Sequence, residues 1–219
     1  MTGKGYTMNR GILLGTEGVL CSTANLHRQA WDMVFLENEI RHTDMDAVDF
    51  AQLGRAECLD QLLPPDEAPL SGAEKALLIS EKNEQYRQLL GNLDESSLLP
   101  GVGELLTALK ARGWRLCVVT ASKNALLILR QLGVEGLMDA VCDGHDEPQW
   151  PGAENIYQKA CGLLALPPEA CVVWENNPAR QREAAAAGIR TLCGPAEAVR
   201  AYLAEEAEQA AQTSWIKGA

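Results

Sequence analysis

The 219-residue chain is long enough for one large domain, or for a core domain carrying a smaller insertion. Its 47% hydrophobic and 22% charged residues are those of a globular domain, and no apolar run approaches the roughly 20 residues that cross a bilayer. A formal net charge of -11 sets the surface against phosphate backbones and anionic lipid, so neither nucleic acid nor a membrane is expected as a partner.

Residues 1–10 carry Lys4 and Arg10 but lack the apolar centre and small-residue cleavage site of a secretory signal, so a cytoplasmic location is expected. The first apolar run, 12–14, breaks into Gly15-Thr16-Glu17-Gly18, resumes as Val19-Leu20, and meets a polar helix start at Ser22-Thr23. That pattern is a buried strand ending in a tight turn of reactive-site type. From 24 to 95 no strand is evident, and apolar residues recur at helical spacing over 27–36, 58–63 and 76–90. Pro64, Pro65 and Pro69 mark a loop between helices, and 92–97 reads as a return hinge. The expected organisation is an α/β core of residues 1–23 and 96–219 with an inserted all-helical cap of residues 24–95.

Beyond Leu99, short apolar strands alternate with amphipathic helices. Pro100-Gly101 opens a helix to 110 that Arg112-Gly113 closes; a strand is predicted over 115–120 and a helix over 123–132, ending at Gly133. A strand at 140–142, a helix over 154–164, a strand at 171–174, a helix over 179–187 stopping at Gly188, a strand at 191–193 and a helix over 197–212 complete the series. Such alternation predicts a Rossmann-like parallel sheet covered on both faces. Ligands of these sheets sit beyond the carboxyl ends of the strands, which singles out Gly15 to Glu17, Thr120 to Lys123, and Glu175 to Asn177. Seven scattered cysteines, odd in number and without C-x-x-C spacing, read as reduced, mostly buried thiols.

The order of strand, loop, helical insertion and alternating strands and helices resembles the β-phosphoglucomutase-like branch of the haloacid dehalogenase superfamily. Thr120-Ala121-Ser122-Lys123-Asn124 is similar to the family's second motif, which holds the transferring phosphoryl group. Val172 to Pro178, followed by Ala184 to Gly188, is similar to the fourth. The first motif, Asp-x-Asp-Gly-Val, is matched by Gly15-Thr16-Glu17-Gly18-Val19. The resemblance implies a first Asp that attacks phosphorus, a second that handles the proton, a magnesium ion held by oxygen ligands, and a lysine in the third motif.

Here the nucleophile position is Gly15, the acid-base position is Glu17, the metal-site acid is Asn176 with Glu175 retained, and the third-motif lysine falls on Trp150. Magnesium binding is therefore expected to be weak or absent, and no other cofactor is expected. Two carboxylates and one ammonium have gone together, as expected of a pocket discharged as a unit, because an ammonium without its anions is costly to bury. By the same resemblance Arg55, Lys82, Asn83 and His27 in the cap, with Thr120, Ser122, Lys123 and Asn124 in the core, are candidate ligand contacts. The expected function is a pseudoenzyme that retains a sugar phosphate, another small phosphorylated metabolite or a protein partner. The alternative is a slow hydrolase of phosphate esters in which Glu17 positions water directly, without a covalent intermediate. Glu17 and Glu175 also read as a residual acidic pair without chemistry.

Overall fold

The computed structural model describes residues 10–51, 53–66, 68–146 and 155–205. Strand β1 (Gly11–Leu14) leads into three helices, α1 (Ala24–Glu37), α2 (Arg55–Leu62) and α3 (Gly72–Leu90). The chain then alternates: α4 (Val102–Ala111), β2 (Arg115–Val119), α5 (Ala125–Gln131), β3 (Ala140–Cys142), α6 (Ile156–Leu163), β4 (Cys171–Trp174), α7 (Pro178–Ala186) and β5 (Arg190–Leu192). A last helix, α8, runs over 196–205 as far as the chain is described.

The five strands form one parallel sheet in the order β3-β2-β1-β4-β5. Strand β1 is central, with Leu14 opposite both Val118 of β2 and Trp174 of β4. Its residues are wholly apolar because both sheet faces are covered, yet the pleat still sorts them. Ile12 and Leu14 join Leu116, Val118 and Trp174 in a core shared with α4, α5 and α8. Leu13 joins Cys117, Val119 and Val173 in a second core under α6 and α7. The α1–α3 insertion has its own cluster, in which Trp31, Val34 and Phe35 pack on Leu59, Leu62 and Leu78. The lower end of α3 belongs to the sheet instead: Tyr86 and Leu90 enter the first core. The architecture is thus the Rossmann-like α/β core with a helical cap.

Several ends differ from the sequence expectation by one or two residues, each for a local reason. Helix α4 starts at Val102 because Gly101 sits in the left-handed region (φ +75°) as its N-cap. Helix α5 starts at Ala125, after Ser122 Oγ has accepted the Asn124 N–H in a serine turn. Strand β5 ends at Leu192, so Cys193 is exposed while the other six cysteines are buried thiols. The expected helical residues 206–212 lie outside the described residues. No helix among the described residues is long and apolar enough to cross a membrane.

Leu13 is fully buried in the central strand. Leu13→Ala is expected to lower unfolding free energy by about 3 kcal/mol in a urea titration, as a truncation that leaves a cavity between two rigid layers.

Candidate functional site

The strand order reverses between β1 and β4, and there the cavity lies. The Gly15 N–H donates to Trp174 O at 2.9 Å, extending the ladder one residue past β1 and fixing Gly15 beside Glu175. The chain then folds back: Thr16 O accepts from the N–H groups of Leu20 and Cys21, and Gly18 takes φ +69°, which glycine adopts without Cβ strain. The resulting cavity has a volume of about 330 Å³. Thr16, Glu17, Thr120, Ser122, Glu175 and Asn176 line its core side, with Asn177 and Arg180 at the start of α7. His27, Phe50, Arg55 and Tyr86 line its cap side.

Glu175 is buried, and its Oε1 accepts the Asn177 N–H at 2.8 Å. Burial pushes its carboxyl above the usual range, against the opposing pull of the Asn177 and Asn176 N–H groups and Arg180. A Cβ at position 15 would stand 2.6 Å from Glu175 Oε2, so the Glu175 carboxylate occupies the space a side chain there would need. Thr16 Oγ1 and Thr120 Oγ1 are hydrogen-bonded at 2.8 Å, and Thr120 Oγ1 accepts the Ser122 N–H.

Glu17 lines the cavity but is held as an anchor. Its Oε1 accepts from Ser22 Oγ at 2.9 Å, and its Oε2 from the Thr23 N–H at 2.7 Å and Thr23 Oγ1 at 2.8 Å. A carboxylate at the N-terminus of α1 satisfies otherwise unpaired donors and the helix dipole together. Tyr86 OH donates to the same Thr23 Oγ1 at 3.1 Å, tying α3 to this loop.

The cap side is cationic. Lys82 is 1% exposed, and its Nζ meets His27 Nδ1 and the rings of Tyr86 and Trp31 at 4.7 and 5.6 Å from their centroids. No carboxylate among the described residues pairs with it. Burial first, and the Arg55 charge second, lower Lys82 to about 7. Burial, then Lys82 and Arg55, lower His27 to about 2, so the imidazole is neutral. With Nδ1 taken as acceptor from Lys82, its proton is assigned to Nε2. His27, stacked on Tyr86 at 3.9 Å between centroids, is therefore a docked ring rather than a solvated helix residue. Arg55 has no hydrogen-bond or ion-pair partner among the described residues.

Other candidates fall outside the lining. Asn83 Oδ1 accepts from Asn124 Nδ2 at 3.0 Å, and Arg87 donates to Asn124 Oδ1, so these amides bind α3 to the start of α5. Lys123 is exposed and does not line the cavity. Lys82 is screened from the cavity by His27. Trp150 lies outside the described residues. Arg180, by contrast, lacked any sequence signal except its place in the first turn after β4; Tyr86 could have been found four residues after Lys82, on the same face of α3.

The donor set does not fit magnesium. Asn176 Nδ2 donates to Gly18 O and its Oδ1 accepts the Gly194 N–H at 2.7 Å, so this amide clamps two loops together. Gly15 offers only backbone, and no group of three or more His, Cys, Asp or Glu suited to a metal occurs among the described residues. Glu175 is left as a single anionic donor where a hard divalent cation takes six oxygens.

Comparison with known proteins places this geometry. The haloacid dehalogenase-like hydrolase profile matches residues 10–188. The chain belongs to this family. It is 28% identical over 170 residues to β-phosphoglucomutase of Bacillus subtilis (strain 168), covering 76% of this chain and 75% of the relative. It is also 28% identical over 200 residues to Protein CbbY of Rhodobacter capsulatus, 87% of each chain. A crystal structure of CbbY from Rhodobacter sphaeroides in complex with xylulose 1,5-bisphosphate superposes with a TM-score of 0.72 at 25% identity, covering 86% of this chain and 87% of that one. These relatives place the chain in the β-phosphoglucomutase-like branch, with phosphatase- and phosphomutase-like proteins.

Folded Lys82 releases its proton near pH 7, whereas an unfolded lysine keeps it to about 10.5. Between those values the unfolded state binds more protons, so stability rises with pH. The Lys82 contribution, read as the difference in urea unfolding between wild type and Lys82→Met, is expected to grow in favour of the wild type by about 2 kcal/mol from pH 7 to pH 9.

Proposed function

We propose that this protein binds a small phosphorylated metabolite, a sugar phosphate by class, and does not carry out covalent phosphoryl transfer. The observation that carries this reading is Gly15: the chain offers no carboxylate at the end of β1, and the Glu175 carboxylate stands over the vacant place. An acyl-phosphate intermediate needs a nucleophile at that position. Glu17, engaged by Ser22 and Thr23, acts as the anchor of α1, and Asn176 acts as a loop clamp rather than a metal ligand, so magnesium binds weakly if at all. Unpaired Arg55 supports retained anion binding, since a guanidinium facing a cavity recognises phosphate as a planar fork. The relative that holds xylulose 1,5-bisphosphate supports the ligand class. On this reading residues 24–95 act as a cap over a core of 1–23 and 96–219, with the ligand between them, and seven unpaired thiols fit a reducing, cytoplasmic setting.

Phosphate release from a panel of sugar phosphates and an aryl phosphate, with and without magnesium, tests the reading against the rival hydrolase. Wild type and Glu17→Gln, purified in parallel, are expected to show the same background release, and a bound sugar phosphate is expected to raise the wild-type melting temperature. Release that Glu17→Gln abolishes would establish a hydrolase that uses Glu17 without a covalent intermediate. A wild type that neither turns over nor is stabilised by any phosphate would move the search to a protein partner. Gly15→Asp is expected to restore no turnover and to lower the melting temperature, because it drives a second carboxylate onto Glu175 with no metal between them.

A further inference from the structure

The cap end of the cavity has Arg55, but by the family resemblance a phosphate at the core end lacks both of its usual cations: the donor set does not fit a metal, and the residue matched in sequence to the lysine is Trp150. A phosphate dianion held by hydroxyls alone in a partly buried cavity is poorly compensated. One cationic side chain nevertheless lines the core side. Arg180 lies in the first turn of α7, at the carboxyl end of β4, and its guanidinium is largely buried, with 22% of the side chain exposed. Glu183, one turn along, accepts from Arg180 Nη1 at 2.9 Å and steadies the fork on the helix. The same turn abuts the start of α6: Asn155, which caps α6 and follows the segment carrying Trp150, donates to Glu183 O at 3.2 Å. Arg180 therefore rises beside the helix that the lysine would precede. Thr120 and Ser122 line the same side of the cavity.

We propose that Arg180 is the core-end phosphate-binding residue, a guanidinium that replaces the metal ion and the lysine and makes anion binding independent of magnesium. This rests on the phosphorylated-metabolite reading above. Arg180 contributes positive charge at the carboxyl edge of the sheet, from a guanidinium set in place by its ion pair with Glu183. A metal-based site would instead hold the anion only where magnesium is supplied.

Calorimetric titration of wild type, Arg180→Gln and Arg180→Lys with a hexose 1,6-bisphosphate and with inorganic phosphate, in EDTA and in magnesium, separates the two. Wild type is expected to bind equally in both buffers. Arg180→Gln is expected to bind roughly ten- to a hundredfold more weakly, as for loss of a charge-assisted contact, with Arg180→Lys between. Arg55→Gln is expected to weaken the bisphosphate independently, so that its effect and that of Arg180→Gln add in the double variant. Unchanged binding in Arg180→Gln overturns the proposal, as does binding that needs magnesium. Should Arg180→Gln fail to fold, Arg180→Lys and the magnesium comparison decide by the same criteria. A wild type that binds neither probe in either buffer overturns the phosphorylated-metabolite reading itself, and this inference with it; a wild type that binds while Arg180→Gln is unaffected overturns this inference alone.

Discussion

Everything at this site depends on one strand being in the middle of the sheet. Because β1 pairs in parallel with β2 on one side and β4 on the other, the segments that follow all three strands leave the same edge at the same height. The bond from Gly15 N–H to Trp174 O carries that registration one residue further and holds Gly15 against Glu175. Thr16 and Thr120 then meet across the edge without any long side chain having to reach. The fully buried Ile12, Leu13 and Leu14 enforce the arrangement, since a shift of one residue would exchange the contents of two cores.

Given that frame, the polar side chains around Gly15 are held by structural contacts. The Glu175 side chain lies over Gly15, one of its oxygens bonded to Asn177 N–H. Asn176 uses both ends of its amide on backbone groups of two loops, a role a carboxylate could not fill because it has no N–H to give Gly18 O. Glu17 is drawn to the donors at the head of α1. Glu175, Asn176 and Glu17 thus each have a structural partner. The cap is the reverse case: Lys82 is held in a cage of rings with a neutral imidazole for company, where an ammonium carries a desolvation cost that no anion offsets.

The sequence made the fold legible because the signals were local. Apolar runs of three to five residues, glycines closing helices at Gly113, Gly133 and Gly188, and helical spacing in the insertion each needed only neighbouring residues to interpret. Gly15 and Asn176 stand out in the sequence only through the motif resemblance. The fates of the remaining side chains were not, because they depend on which elements come together. Asn83 and Asn124 looked like ligand contacts, but α3 packs on α5 closely enough for the two amides to bond to each other. Lys82 looked like a cavity residue, and it is the packing of α1 on α3 that lays His27 across it. Arg180 carries no motif in the sequence, and it is the turn of α7 that puts it at the sheet's carboxyl edge.

These placements bear on how affinity and catalysis separate in a pocket of this kind. In an enzyme, interactions that strengthen only in the transition state accelerate the reaction, while interactions equal in ground and transition states merely hold the ligand. A nucleophile and a metal ion on the reacting oxygens belong to the first class; a guanidinium gripping phosphate in the cap belongs to the second. Removing the first class and keeping the second leaves a site whose interaction energy is expressed wholly as binding. Arg55 from the cap and Arg180 from the core both line the 330 Å³ cavity, so on the proposed reading a ligand that engages both bridges cap and core.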